Sequence, residues 1–460
     1  MLNKFFISFF LLISGASVVA QQKTNNLPIG VFDSGTGGLT VLEAMLSLDA
    51  FNNITGAPGA DGKPDFEKEY FQYLADQANM PYGNYAAEGK TKLLQEHVIK
   101  NMDFLLNSKY DFEKASAYVA LRKQGVKMLV LACNTATAFA LNEVKEHVLN
   151  NENNVPVVGV INAGVKAALA YQVKNRGAIG VFATAGTVAS NGYPKTIREM
   201  AKQQGMPEPV IVSQGGLGLA DAIDRDYSFF DENAKGYRKD YKGPSMANKL
   251  YKIDTALLNV YNFNKSGNKL LCEFDNNGNC LDIQLNDPEN YVRFHLVSLL
   301  EKMKAENITT PMNTLILGCT HYPFMRDTIR NVLAELYNHK RNGEYAYRAV
   351  LAPYVELVDP SLETAKEAYL AMRNLQLQNE QPKQKNLFFI TVPNRTLPDT
   401  QLQEDGWFTY SYKYGRKEGE NKKFVNFVPF DQKNISAATY ERLKIALPYS
   451  YTAILKSKSE

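Results

Sequence analysis

Two of the four cysteines stand in near-matching segments. Met-Leu-Val-Leu-Ala-Cys-Asn-Thr-Ala-Thr places Cys133 after the apolar run Met128 to Ala132, and Thr-Leu-Ile-Leu-Gly-Cys-Thr-His-Tyr-Pro places Cys319 after Leu315 to Gly318. In each, a short apolar run suited to a buried strand stops at a small residue and then a cysteine. Asn134 to Val148 continues as a good helix-forming stretch, so the first thiol is expected at a strand-to-helix junction. Free backbone N–H groups and the helix dipole favour a thiolate there, and the thiolate is the reactive form. Two such thiols in one chain suit chemistry that needs a base on each side of one atom, as inversion of a carbon centre does.

Other polar residues gather near similar junctions. Ile29 to Asp33 followed by Ser-Gly-Thr-Gly-Gly reads as a strand ending in a carboxylate and then a glycine-rich turn. Such a turn lets backbone N–H groups approach an anion. It lacks the lysine of a phosphate-binding loop and the spacing of a dinucleotide fingerprint, and Asp33 could equally cap the helix that follows. His321 lies two residues beyond Cys319, and Asp76 precedes a polar turn at Met80-Pro81-Tyr82-Gly83-Asn84. The five histidines show no metal-ligand spacing, and neither CxxC nor HExxH occurs, so no metal site is expected.

The elements that must position these groups alternate. Strands are expected at 27–32, 127–132, 155–161, 178–183, 210–213 and 314–317, with helices at 39–48, 134–149, 163–171, 195–204 and 325–336. Alternation of this kind predicts parallel sheets covered by helices, with the functional groups at the carboxyl ends of strands. The stretch 50–70 reads as a loop, and 226–287 as a Tyr- and Asn-rich insertion. Within it Cys272 and Cys280 flank an Asn-Gly turn signal, which predicts a hairpin clamped by a disulfide. Cys133 and Cys319 could also pair with each other, which would end their use as bases. From about Asn386 the pattern changes, and Phe408, Tyr410, Tyr412 and Tyr414 alternate as in a strand, leading to Phe424, Phe427 and Phe430 in a hairpin packed on a core.

The chain has 460 residues, 45% of them apolar, enough for two or three domains. A net charge of +3 gives no reason to expect nucleic acid as a partner. Lys4, the apolar stretch Phe5 to Ile13 and Val18-Val19-Ala20 before Gln21 form the pattern of a cleaved secretory signal over residues 1–20. The competing reading is an uncleaved anchor, for which the apolar run is short. The mature protein is expected to be exported, periplasmic and without a stable membrane anchor, a setting that favours disulfides.

Taken together, these segments resemble glutamate racemase, of the aspartate/glutamate racemase superfamily. The resemblance rests on Ile29 to Val41, Pro81 to Asn84, Ala132 to Ala138, the strand from Val155, Ile179 to Val188, Leu315 to Pro323 and Val358 to Ala365, in the family's order. It implies an α/β fold of two pseudo-symmetric flavodoxin-like domains with parallel sheets and the active site in the cleft between them; the insertion and the β-rich C-terminal extension have no counterpart in the family. The first domain would span 28–154, completed by a return at about 354–372; the second would span 155–348 and carry the insertion at about 226–287; the extension would be 386–460. The implied activity is cofactor-independent racemisation of an acidic amino acid, glutamate first and aspartate or a broader set next. Cys133 and Cys319 would be the two bases, assisted by Asp33 and His321. Ser34, Pro81, Tyr82, Gly83, Asn134, Thr135 and Thr320 would hold the substrate. A homodimer is a common state in that family.

Two departures stand out. The family's mid-chain glutamate has no clean counterpart, and Asp221 and Asp224 are the carboxylates nearby in sequence. This leaves open a catalytically silent binding protein for acidic amino acids. Family members supply D-glutamate for cell-wall precursors from the cytosol, so an exported version would either process amino acids released from the wall or act on a different acidic substrate.

Overall fold

The computed structural model describes residues 25–108, 123–151, 155–381 and 384–458. The secretory-signal pattern at 1–20 lies outside the described residues. The chain divides into two compact units, Met1–Val160 with Thr364–Glu460, and Ile161–Glu363.

In the first unit, β1 (Ile29–Asp33) runs between β2 (Phe71–Ala75) and β3 (Met128–Leu131), all parallel, with β4 (Val157–Gly159) beyond β3. All residues of β1, β2 and β3 are buried, which is why each reads as an unbroken apolar run rather than an alternation. Helices α1 (Leu39–Ser47), α2 (Thr91–Leu106) and α3 (Asn134–Asn150) follow β1, β2 and β3 respectively. The expected strand 155–161 ends two residues early. Gly159 closes β4, where a side chain would meet Thr137 Cγ2 at 2.7 Å, and α4 (Val160–Lys174) begins at once.

The second unit holds a four-stranded parallel sheet in the order β12-β9-β5-β6, made of β5 (Ala178–Ala183), β6 (Ile211–Gly215), β9 (Met312–Gly318) and β12 (Leu351–Val358). The inserted segment between β6 and β9 carries the antiparallel hairpin β7 (Leu270–Phe274) and β8 (Cys280–Leu285). Its turn is closed by Gly278 N–H donating to Asp275 O, with Gly278 at φ +80°, a conformation glycine reaches without strain. Cys272 and Cys280 are disulfide-bonded across it, as expected, while Cys133 and Cys319 are free. A two-residue ladder, β10 (Lys340–Arg341) with β11 (Glu344–Tyr345), precedes β12. Because β12 pairs with β9, residues 354–363 belong to the second unit, and the return to the first begins inside helix α5 (Pro360–Asn374) at Thr364.

The C-terminal segment completes the first sheet. Strand β13 (Leu387–Pro393) pairs parallel to β2, and β14 (Val425–Pro429) antiparallel to β13, giving the order β14-β13-β2-β1-β3-β4. The aromatic run expected as a strand is instead a short helix, α6 (Tyr410–Gly415). Thr409 caps it by accepting from Tyr412 N–H, and packing overrides the β preference of its tyrosines. Phe427 stacks on Phe104 of α2 at 4.1 Å, so the far end of the expected aromatic pair does serve as core. Two further helices, α7 (Ala437–Ala446) and α8 (Pro448–Lys458), follow; α8 packs on α1.

Candidate active site

Asp33 closes β1 and turns its carboxylate onto the glycine-rich turn, where Oδ2 accepts from Gly35 N–H at 3.1 Å and Gly38 N–H at 2.8 Å. It reaches the N-cap residue Gly38 but none of the N–H groups of α1 itself, so the helix-cap alternative does not account for it. A side chain at Gly38 would collide with Asp33 Cβ and Ala132 Cβ, so the turn needs glycine for space. Burial pushes the Asp33 carboxyl up, against the backbone donors that hold it down.

Cys133 follows β3 and is the N-cap of α3; its Sγ accepts from Ala136 N–H at 3.4 Å and donates to Ser34 Oγ at 3.4 Å. The junction was expected to favour a thiolate, and here the structure differs. Burial and then the Asp33 charge push the Cys133 thiol up to about 12, outweighing Ser34 and the helix N–H. With Cys133 only 6% exposed, desolvation exceeds what one helix terminus returns. Cys133 is therefore protonated at rest. Ser34, Asn134 and Thr135 are half-buried beside it.

The turn at 80–83 is built around Asp76, which is fully buried. Asp76 accepts from Asn79 Nδ2 at 3.0 Å, Tyr82 Oη at 2.5 Å, Asn101 Nδ2 at 2.9 Å and Thr391 Oγ1 at 2.6 Å. Tyr82 was expected to hold substrate; its side chain is buried and its hydroxyl is committed to Asp76, so it can offer a ligand only its main chain. Pro81 is exposed and Gly83 half-buried. Residues that sequence reasoning missed surround this turn. Tyr73 donates to Gly35 O at 2.6 Å, Tyr414 donates to Pro81 O at 3.1 Å, and Lys413 donates to Met80 O. None carries a motif, and the last two come from the C-terminal segment.

In the second unit Cys319 follows β9, buried, with His321 two residues on. His321 Nδ1 lies 3.7 Å from Cys319 Sγ and 3.4 Å from Thr320 Oγ1. His321 Nε2 lies 3.1 Å from Asp224 Oδ2. Burial alone would lower the imidazole; the hydrogen bond it donates to Asp224 and then the Cys319 sulfur reverse this and raise it to about 10. Of the two carboxylates in the segment, Asp224 is the one paired with His321. Asp221, on the short helix Leu219–Ile223 that Asp224 ends, is pushed up by burial. Gly318 leaves no room for a side chain, since one would meet Tyr193 at 2.8 Å and Ala183 Cβ at 2.9 Å. Tyr193, buried against the Cys319 end of β9, is another residue that sequence reasoning missed.

Each unit thus holds one buried free thiol at the end of a parallel strand beside an acid–base group: Asp33 for Cys133, and the His321–Asp224 pair for Cys319. Such pairs suit proton transfer.

No family model matches the chain. Among curated proteins it is similar to glutamate racemase of Aquifex pyrophilus, 32% identical over 235 residues, covering 50% of this chain and 69% of the relative. It is similar to glutamate racemase of Oceanobacillus iheyensis, 26% identical over 307 residues, covering 67% and 72%. Glutamate racemase of Trichodesmium erythraeum is 24% identical over 385 residues, covering 84% and 94%. Among solved structures, glutamate racemase isoform RacE1 from Bacillus anthracis aligns with a TM-score of 0.46 and 23% identity, covering 80% of this chain and 89% of that one.

Proposed function

The chain belongs to the glutamate racemase family, and from that premise we propose that it interconverts L- and D-glutamate by two-thiol proton transfer without a cofactor. One cysteine, as thiolate, takes the α-proton: the Cα–H bond breaks and an S–H bond forms. The other, as thiol, gives its proton to the opposite face of the same carbon: its S–H bond breaks and a new Cα–H bond forms. Running the two steps in the other order returns the first enantiomer.

The observation that carries this reading is the pairing of each free thiol with its own proton-handling group. Cys133, held as a thiol by burial and Asp33, is the proton donor for the enantiomer whose α-hydrogen faces Cys319, and for the other enantiomer the two cysteines exchange roles. Cys319 lies beside a cationic imidazole, which attracts negative charge developing on its sulfur. Asp224 takes the assisting role that the family gives to a glutamate. Ser34, Asn134, Thr135, Thr320 and the main chain of 81–83 would bind the substrate's carboxylates and ammonium.

We place the mature protein outside the cytosol, in the periplasm, where a disulfide such as Cys272–Cys280 persists. The test of function is chiral analysis of purified protein incubated with L-glutamate and, separately, L-aspartate. Appearance of D-glutamate supports the proposal. Formation of D-aspartate alone would move the substrate to aspartate, and formation of neither would reject racemisation of acidic amino acids.

A further inference from the structure

Within the first unit, a cavity of about 220 Å³ lies between α2 and the segment 416–427, lined by Asn79, His97, Lys100, Asn101, Arg416 and Phe424 among others. It is separate from the thiols and from the groups proposed to hold substrate. Three side chains that line it are at least nine-tenths buried, yet each has a polar atom with no hydrogen-bond partner: His97 Nε2, Asn101 Oδ1 and Arg416 Nη1. Buried polar atoms are nearly always satisfied, so three around one cavity call for an occupant.

The unmatched atoms describe that occupant. Arg416 is a buried cation whose hydrogen-bond partners are neutral oxygens: Lys413 O, Asn79 Oδ1 and Tyr85 Oη. Phe408 and Phe424 rings flank the guanidinium at 4.9 and 5.0 Å. Lys100 adds a second positive charge at the lining. Asn101 cannot turn its amide around, because Nδ2 is held by Asp76 Oδ2 at 2.9 Å and His97 O at 2.7 Å. Its Oδ1 is therefore a fixed acceptor and requires a donor. His97 is held neutral, by burial first and then by Arg416 and Lys100, so Nε2 can serve either way.

We propose that this cavity is a binding site for a small oxyanion that also carries an O–H or N–H group, its negative oxygens on Arg416 and Lys100 and its donor on Asn101. Hydrogen phosphate is the simplest such species. Two hydrogen bonds, Arg416 to Asn79 and Asn79 to Asp76, join the site to the carboxylate that organises the 80–83 turn.

The test is calorimetric titration of the full protein with inorganic phosphate at millimolar concentrations, repeated with D-glutamate at saturation. Sulfate, which carries no O–H at neutral pH, is the comparison. The site predicts saturable phosphate binding that survives D-glutamate and is about tenfold tighter than sulfate. It also predicts about tenfold weakening in Arg416→Gln and a smaller weakening in Lys100→Gln, as loss of charge-assisted hydrogen bonds requires. Thermal melting checks that each variant folds, and Lys100→Gln carries the test if Arg416→Gln does not. Absence of saturable binding, displacement by D-glutamate, sulfate binding as tightly as phosphate, or unchanged affinity in the folded variants would each overturn the proposal.

Discussion

His321 Nε2 is paired with Asp224 Oδ2 at 3.1 Å, while the other ring nitrogen faces Cys319 Sγ. The carboxylate thus acts on the thiol through the imidazole, and removing it should be felt at the chemical step. Asp224→Asn is expected to lower kcat about a hundredfold, the scale of one lost acid–base contribution, with little change in KM. Steady-state kinetics against pH check this.

The same pair makes a stability prediction. The His321 value is raised from 6.5 to about 10 in the folded protein, so its contribution is fully present below pH 6.5 and is lost as pH rises through about 10. Melting curves of wild type and Asp224→Asn should differ most below pH 6.5 and converge towards pH 10. A difference that does not change over that window would contradict the assignment.

Cys133 is a resting thiol, so alkylation should separate the two cysteines. Iodoacetamide at neutral pH is expected to modify Cys319 at least about tenfold faster than Cys133, since the thiolate is the species that reacts. Peptide mapping after timed labelling reads the ratio. Labelling of Cys133 first would contradict its assignment as a thiol at rest.

Gly38→Ala should damage activity without replacing any reacting group. The added methyl has no room beside Asp33 Cβ and Ala132 Cβ, so the carboxylate must shift. A displacement of that kind costs about a hundredfold in rate. Kinetics together with an unchanged far-UV circular dichroism spectrum check it.

Thr391 comes from the C-terminal segment yet donates to buried Asp76 and accepts from Ala78 N–H. Thr391→Val keeps the shape and leaves two polar groups short of a partner, which is expected to cost about 1–3 kcal/mol in chemical denaturation.

Much of this was legible in the chain. The buried strands read as apolar runs, the Asn-Gly turn placed the disulfide hairpin, and the cysteine motifs placed both thiols at strand ends. Other features depend on contacts distant in sequence. Asp221 lies on a short helix and Asp224 just past its C-terminal end, and only the position of His321 distinguishes them. Strand β13 joins β2 across more than three hundred residues, which no local pattern announces. The run Phe408 to Tyr414 alternates like a strand, but Thr409 caps it as a helix. The state of Cys133 followed from desolvation, which sequence does not report.

The central claim is that two thiols work on one carbon, and α-proton exchange tests it most directly. L-glutamate incubated in D₂O with wild type, Cys133→Ser and Cys319→Ser would be followed by proton NMR and chiral analysis. The account predicts D-glutamate carrying solvent deuterium at Cα in wild type and loss of racemisation by roughly a thousandfold or more in each single variant, since the two act as a unit. Racemisation within about tenfold of wild type in either variant would contradict it.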